Sequence, residues 1–250
     1  MQMDIIELRD FYSTSLGRVA RKIASKQLRL RWPDIAGETV LGFGYATPYL
    51  RRCLDEAAVC MAFMPAGQGV ARWPMRGPNK AILTEETGFP LPDGCIDRVL
   101  AVHGLELAPN PNELCREFWR VLKPGGRVLI MVPNRRGLWA RAESTPFGHG
   151  RPFSRGQLSL LLKDSLFAPD NWGEALFVPP LRWRPVLRGA GAWEQIGAAM
   201  WPGFSGLTIV EAVKDVYGIT PVQEARKSRA RLRPIIAPVP AVPHRAHGER

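Results

Sequence analysis

Two short, almost unbroken apolar runs with an amphipathic helix between them constrain the fold of this chain more than any other feature. The runs span residues 95–102 and 127–132, and Leu114 and Phe118 share one face of the intervening segment 112–122. Strands that are apolar at nearly every position, rather than at alternate positions, belong to parallel sheets that are covered on both faces. The pattern therefore predicts a strand–helix–strand unit within a parallel sheet.

The same alternation extends to both sides of this unit, and 134–152 and the stretch between the last two strands are predicted to be irregular. The other predicted elements are strands at 39–43, 57–63, 81–84, 175–178 and 207–212 and helices at 48–54 and 154–162. Strands that alternate with helices indicate an α/β fold. We expect a doubly wound, mostly parallel, seven-stranded, Rossmann-like sheet.

Composition divides the chain into three predicted regions. Residues 1–35 are expected to form basic helices over 4–31, with Gly17 separating two segments. Residues 36–216 are expected to form the α/β domain. Residues 217–250 are rich in proline, arginine and alanine, which predicts a disordered tail.

The charge of the chain is strongly positive. There are 34 lysine and arginine residues against 23 aspartate and glutamate residues, which gives a net charge of +11. Such a surplus favours anionic partners. The basic residues concentrate in the first helices and the tail, so we expect any anionic partner at the termini, away from a ligand cleft. No Asn-Pro-Pro-Tyr-like base-gripping motif occurs, which argues against nucleic acid as the partner.

The cysteines and the hydropathy pattern indicate the cellular compartment in which we expect the protein. Cys53, Cys60, Cys95 and Cys115 form no C-x-x-C pair, so no zinc site is predicted and no other metal site is expected. Isolated cysteines in apolar surroundings favour free thiols in a reducing compartment. No secretory signal is evident at the N-terminus, and no window approaches the roughly 20 apolar residues that span a bilayer. We expect a cytoplasmic protein without a transmembrane segment.

A glycine-containing turn follows the first predicted strand. Gly42, Gly44 and Ala46 give the pattern G-x-G-x-A. In doubly wound sheets such a turn lets the backbone approach an anionic ligand group at a helix N-terminus. A short glycine pattern is also common in ordinary turns, so the residues alone leave both interpretations open.

The segment 84–134 closely resembles the core of class I S-adenosylmethionine-dependent methyltransferases. Pro90–Asp93 matches their Pro-x-Pro-Asp turn, His103–Glu106 matches the segment after a buried strand, and Arg120–Gly126 matches their Arg-x-Leu-Lys-Pro-Gly-Gly. The resemblance covers roughly residues 36–135 and extends more loosely to about 214. It implies S-adenosylmethionine as cofactor and methyl transfer to an unidentified, small-molecule acceptor.

The cofactor loop departs from the family pattern. The carboxylate that usually ends the first strand is replaced by Gly42 or Val40, depending on the alignment. The acid that binds the ribose hydroxyls at the end of the second strand is also missing, and Phe63 or Met64 occupies its place. A methyltransferase-like scaffold or regulatory binding protein without catalysis is therefore the alternative to an enzyme.

The resemblance also assigns candidate site residues. His103 is the candidate catalytic residue, although a strand-end histidine bonded to backbone is the alternative. Glu85 or Glu86 is the candidate partner of the adenine amine, unless both are exposed turn acids. The candidate cofactor-binding residues are Gly42, Gly44, Tyr45, Phe63, Met64, Glu85, Glu86 and His103. The candidate acceptor-binding residues, for which ordinary loop packing is the alternative, are Tyr12, Trp139, His149 and Arg151.

Overall fold

The strands form one sheet, in a computed structural model that describes residues 3–201 and 203–216. The order across the sheet is β3-β2-β1-β4-β5-β7-β6. Strands β1 to β5 pair in parallel, and β7 is antiparallel to both of its neighbours. The strands are β1 (Thr39–Gly44), β2 (Val59–Pro65), β3 (Ala81–Thr84), β4 (Ile96–Val102), β5 (Leu122–Pro133), β6 (Phe167–Ala175) and β7 (Leu207–Lys214). This confirms the predicted doubly wound, mostly parallel sheet.

Helices cover both faces of the sheet, as the apolar strands require. One apolar cluster joins the sheet to α1 and α2, and the other joins its opposite face to α4 and α5. The helices are α1 (Ile5–Ser13), α2 (Ser15–Arg31), α3 (Cys53–Glu56), α4 (Pro111–Val121), α5 (Arg155–Asp164), α6 (Arg184–Arg188) and α7 (Ala190–Met200), with 3-10 turns at Trp139–Arg141 and Pro146–Gly148.

The β4–α4–β5 unit forms where the sequence predicted it. Asn110 caps α4 through its side chain, and Pro111 occupies the first turn, where its missing N–H is not needed. Leu114 and Phe118 are fully buried beneath the sheet. The unit fixes the carboxyl end of β4 next to that of β1.

The break between the first two helices lies at Thr14, whereas the sequence placed it at Gly17. The Thr14 hydroxyl accepts a hydrogen bond from the Gly17 N–H and so caps α2. A Cβ at position 17 would lie 2.1 Å from the Phe11 carbonyl oxygen. Gly17 therefore lets α2 pack closely against the end of α1 and does not interrupt a helix.

The predicted helix at 48–54 is wrong over most of its length. Residues 47–52 form turns, and Cys53–Glu56 alone in that stretch is helical. Pro48 has no N–H, and the Tyr49 N–H donates to the Ala46 carbonyl at 2.9 Å, which closes a tight turn in place of a helical one. The loop after β1 therefore lacks the long helix on which an anion-binding N-terminus depends.

The predicted strand at 175–178 is also wrong, because the edge strand β6 lies earlier, at Phe167–Ala175. Its sequence is polar and contains Pro169, which an edge strand tolerates at a bulge. The pairing with β7 shifts register between Pro169 and Asn171. The stretch that was predicted to be irregular before β7 contains α6 and α7.

Several predictions concern features outside the sheet. The predicted tail, 217–250, lies outside the described residues. Within the described ranges, no helix is long and apolar enough to cross a membrane. The four cysteines are free thiols. No metal-binding group of three or more histidine, cysteine, aspartate or glutamate side chains occurs in 3–201 or 203–216.

Candidate active site

A cavity of about 1010 Å³ lies at the carboxyl ends of β1 and β2. Strand order reverses beside β1, because β2 and β3 lie on one side of it and β4 on the other. Ligands of doubly wound sheets bind at such a point. Tyr45 follows β1 and Met64 lies in β2, while α1 and the loop 71–76 form the opposing walls.

Two tyrosine rings form the part of the wall nearest the sheet. Tyr12 of α1 stacks on Tyr45 with ring centroids 5.5 Å apart and an interplanar angle of 29°. Burial raises the pKa of Tyr45 to about 12 and raises the pKa of Tyr12 well above its ordinary value of 10.0. Both phenols are therefore neutral at physiological pH, and neither is poised to act as a base.

A buried chain of hydrogen bonds runs from this wall to the end of β4. The Tyr12 hydroxyl lies 2.8 Å from the Tyr49 hydroxyl and 2.8 Å from His103 Nε2. His103 Nδ1 lies 3.2 Å from Glu106 Oε1. A neutral imidazole with its proton on Nδ1 would donate to Glu106 and accept from Tyr12. The other Glu106 oxygen, Oε2, has no hydrogen-bond partner in the described part of the chain.

His103 is present at the end of β4 but is covered. It is 1% exposed, and its ring packs against Phe147 at 4.9 Å as well as bonding to Tyr12. Its backbone has a positive φ of 50°, and its carbonyl accepts a hydrogen bond from Gln68 Nε2. In this arrangement His103 holds Tyr12 in place, and Tyr12 stands between it and the cavity.

The two glycines at the end of β1 accommodate neighbouring parts of the protein itself. Gly44 has a φ of +73°, and a Cβ there would lie 2.4 Å from the Val102 carbonyl oxygen. A Cβ on Gly42 would lie 2.3 Å from the side chain of Leu50. The Tyr45 N–H is also used internally, since it donates to Val102 O at 2.7 Å. The turn therefore packs closely against the β4 end.

The structure separates Phe63 from Met64. Phe63 belongs to the apolar cluster on the α4 side of the sheet, in contact with Phe89. Met64 lines the cavity, and its sulfur accepts a hydrogen bond from the Ala71 N–H at 3.4 Å. Of the two positions considered for the missing acid, Met64 is the one that lines the cavity. None of the described residues that line the cavity is a carboxylate.

The remaining predicted site residues lie away from the cavity walls. Glu85 and Glu86 follow β3, the first exposed and the second half-buried. Trp139 is buried and donates its ring N–H to the Val178 carbonyl at 2.7 Å. His149 Nε2 lies 2.8 Å from the Glu143 carbonyl oxygen, and Arg151 is exposed. Of the predicted set, the cavity brings together Tyr12, Tyr45 and Met64.

Arginines are the cavity residues that the sequence did not reveal. Basic residues were expected away from a ligand cleft, and that expectation is wrong for part of the set. Those that line the cavity are Arg9, Arg21, Arg51, Arg72 and Arg76. They come from α1, α2, the turn after β1 and the β2–β3 loop, so their spacing along the chain gives no signal.

Comparison with known proteins supports a methyltransferase. The methyltransferase domain family matches residues 40–130, which include the cavity residues of β1, β2 and their loops. This match supports S-adenosylmethionine as the cofactor. No curated protein sequence was found that matches the chain significantly.

Solved structures share the fold at low sequence identity. A methyltransferase from Thermotoga maritima, described as a possible histamine N-methyltransferase, has a TM-score of 0.58 and 14% identity, over 84% of this chain and 96% of its own. A methyltransferase from Mesorhizobium loti has a TM-score of 0.56 and 14% identity, over 75% and 96%. The [4+2]-cyclase SpnF has a TM-score of 0.53 and 18% identity, over 77% and 81%. The chain therefore has the fold of S-adenosylmethionine-dependent methyltransferases, and its residues 40–130 match the methyltransferase domain family.

Proposed function

We propose that this chain is a methyltransferase that binds S-adenosylmethionine and a small-molecule acceptor in the cavity at the ends of β1 and β2. The position of that cavity carries the proposal. It lies where ligands of doubly wound sheets bind, and much of its lining falls within the matched domain. Drug-sized ligands occupy cavities of roughly 300–1,000 Å³, so about 1010 Å³ leaves room for a cofactor and a small acceptor.

The fit of the cofactor can be judged from the lining. Tyr45 and Met64 border the cavity with an aromatic ring and a thioether, but they are only 7% and 1% exposed, so they offer an adenosyl group a narrow apolar edge. The missing carboxylate at Met64 removes a charge-assisted hydrogen bond to ribose, worth roughly 1.5–3 kcal/mol. We therefore expect binding weaker than a carboxylate at this position would give. When bound, the cofactor supplies a methyl group that is already activated by a positive sulfonium.

The chain's own contribution is positioning and exclusion of water. Aligned reactants need the reacting atoms about 3–3.5 Å apart, and α1 with the loop 71–76 encloses the space in which that alignment would occur. Among the described lining residues there is no carboxylate and no histidine. The raised pKa of Tyr12 keeps its phenol protonated. The acceptor would therefore arrive in a nucleophilic form that needs no base from the cavity.

A second candidate function is ligand binding without methyl transfer. The covered His103 and the carboxylate-free lining favour it, because both remove groups that the family resemblance led us to expect at the site. Such a protein would hold an adenosyl ligand weakly or serve as a regulatory scaffold.

Calorimetric titration with S-adenosylmethionine and S-adenosylhomocysteine separates the two candidates. Micromolar binding that Tyr45→Ala weakens would support the methyltransferase. His149→Ala is the matched control, since it removes a half-buried ring outside the cavity. Failure of both ligands to bind at millimolar concentration would overturn the proposal in favour of the scaffold.

A further inference from the structure

Five arginines converge on the cavity from separate parts of the chain. Arg9 lies on α1, Arg21 on α2 and Arg51 in the turn after β1, while Arg72 and Arg76 lie in the β2–β3 loop. None of the described lining residues carries a negative charge. Guanidinium groups that line one concavity without carboxylates repel each other and so favour an anion between them.

These arginines are poorly neutralised by the protein. Within the described ranges, the side chains of Arg21, Arg51 and Arg76 form no ion pair or hydrogen bond. Arg9 pairs with Asp10 at 3.6 Å, but both side chains are about two-thirds exposed, so the pair is weak. Arg72 donates to the Gly77 carbonyl at 2.7 Å and has no carboxylate partner in the described chain.

Two arginines outside the cavity, Arg98 and Arg120, are held by carboxylates. Arg98 is paired with Glu38, and Arg120 Nη2 lies 2.6 Å from Glu117 Oε1 while Nη1 lies 2.6 Å from Asp93 Oδ1. Arg98 and Arg120 each contact several oxygen atoms and so connect separate segments of the fold. Within the described residues, the cavity arginines have no such set of acceptors.

The arginine charges influence the pKa of tyrosines at and behind the cavity wall. Burial is the largest influence on Tyr45 and raises its pKa; Arg9 and Arg21 act to lower the pKa, and Asp10 acts to raise it. Arg21 also acts to lower the pKa of Tyr49 against its burial. The charges of Arg9 and Arg21 therefore reach Tyr45 in the cavity wall, and that of Arg21 reaches Tyr49 behind it.

We propose that the cavity binds a small phosphate-bearing molecule whose remaining part is planar or apolar. Guanidinium groups bind phosphate oxygens in bidentate fashion, and several of them suit a dianion. The apolar surface of Ile5, Leu54, Trp73 and Met75 lines the same space and would receive the rest of the molecule.

The identification of this molecule as the methyl acceptor depends on the proposed methyltransferase function. The proposal that the cavity binds it does not depend on that function. An anionic acceptor fits a cavity that offers no base, because an ionised group needs no deprotonation. Its charge would also offset the repulsion between the arginines and a sulfonium cation. All five arginines are exposed at the rim of the cavity, so a nucleic acid is the competing anion that the test below must distinguish.

Calorimetric titration of the full chain with phenyl phosphate, and with phenol as its neutral counterpart, tests the inference. Phenyl phosphate should bind and phenol should bind far more weakly. The double variant Arg21→Gln/Arg51→Gln should weaken phenyl phosphate binding by about tenfold or more, since even one lost charged hydrogen bond is worth about that factor. Arg116→Gln/Arg135→Gln is the matched control, because it removes two exposed arginines outside the cavity.

Three results would overturn the proposal. They are no binding of phenyl phosphate at millimolar concentration, equal weakening by the control pair, and Arg21/Arg51-dependent binding of an oligonucleotide that phenyl phosphate fails to displace. Vesicles with phosphatidic acid identify the phosphate source. Binding that phenyl phosphate displaces supports the phosphate site with a lipid headgroup as ligand, and vesicle binding that it fails to displace counts against a small-molecule site.

The same samples are also titrated with S-adenosylhomocysteine. This shows whether the proposed phosphate site and the proposed methyltransferase function are supported independently of each other. If phenyl phosphate binds and S-adenosylhomocysteine does not, the proposed phosphate site is supported and the proposed methyltransferase function is contradicted. The reverse result removes the anion site alone. Circular dichroism spectra of the variants verify that both double variants are folded.

Discussion

The Tyr12 hydroxyl lies 2.8 Å from His103 Nε2, and this contact joins the first helix to the end of β4. Leu8 and Phe11 of the same helix are buried in the apolar cluster that covers the sheet. Helix α1 is therefore part of the site, although the sequence analysis assigned it to a separate N-terminal region. Its Tyr12 covers His103, and the helix supplies one wall of the cavity.

Replacement of Tyr12 by phenylalanine should destabilise the protein. The variant leaves buried His103 Nε2 and the Tyr49 hydroxyl without the partner that both contact. Each unsatisfied buried group costs about 1–3 kcal/mol, so for the two groups we expect a loss of roughly 2–6 kcal/mol in the free energy of unfolding. Urea denaturation measures it.

Tyr45→Phe is the control for that change. Its ring stacks on Tyr12, but its hydroxyl forms no hydrogen bond within the described residues. We expect a change within about 0.5 kcal/mol. Equal stability of Tyr12→Phe and Tyr45→Phe would show that the hydroxyl chain contributes nothing.

Stability should fall at alkaline pH because of the buried phenols. Burial raises the pKa of Tyr45 to about 12 and raises those of Tyr12 and Tyr49 above their ordinary value of 10.0. The folded state thus holds protons that the unfolded chain releases, so the contribution is complete below about pH 10 and is lost as pH rises toward the folded pKa values.

The measurement is urea unfolding at several pH values, from neutral to strongly alkaline. The loss should be smaller in Tyr45→Phe/Tyr49→Phe than in the wild type, because two of the shifted groups are then absent. Identical pH profiles for the two proteins would contradict the assignment. Ultraviolet absorption of tyrosinate gives a direct reading of the same ionisations.

The sequence predicted the central sheet well, for a physical reason. Residues 96–102 and 122–133 are apolar where they are buried on both faces, and Pro111 and Asn110 mark the helix start. Those signals are local. The edge strand β6 is polar and forms through backbone pairing with β7. This is a long-range interaction, and the residues of β6 alone do not predict it.

The site was predictable in part only. The family resemblance led to Tyr12, Tyr45 and Met64, which line the cavity, and to His103, which Tyr12 covers. A sequence pattern cannot reveal that covering contact, because it depends on how α1 docks. Nor could it reveal the arginine set, which four separate elements bring together. Burial and convergence are properties of the folded chain.

Gly44→Ala should destabilise the protein more than Gly88→Ala. Both glycines have positive φ, +73° and +77°, so both substitutions introduce backbone strain of roughly 1–2 kcal/mol. At Gly44 the new Cβ would also lie 2.4 Å from Val102 O, whereas at Gly88 nothing lies within 4 Å. We expect a further loss of roughly 1–3 kcal/mol at Gly44 from the crowding.

Urea denaturation of the two variants isolates the steric contribution, since the strain is common to both. If the two lose the same stability, the close approach of the β1 turn to the β4 end is not as described. The comparison also bears on ligand studies. A substitution at Gly44 would reduce binding through damage to the fold, so it does not report on contact with a cofactor.

Met64→Glu should strengthen adenosyl binding. Met64 lines the cavity at the end of β2, where the family carries the acid that binds ribose, and Phe63 faces the opposite side of the sheet. A carboxylate there would accept hydrogen bonds from the ribose hydroxyls, worth roughly 1.5–3 kcal/mol, or about tenfold or more in affinity. Calorimetry with S-adenosylhomocysteine measures the gain.

Met64→Gln is the control for this change. Glutamine has the same length as glutamate without the charge, so it separates the effect of the carboxylate from the loss of methionine packing. Equal affinities of the two variants would mean that ribose does not reach this position, and the proposed seating of the cofactor against β2 would have to be abandoned.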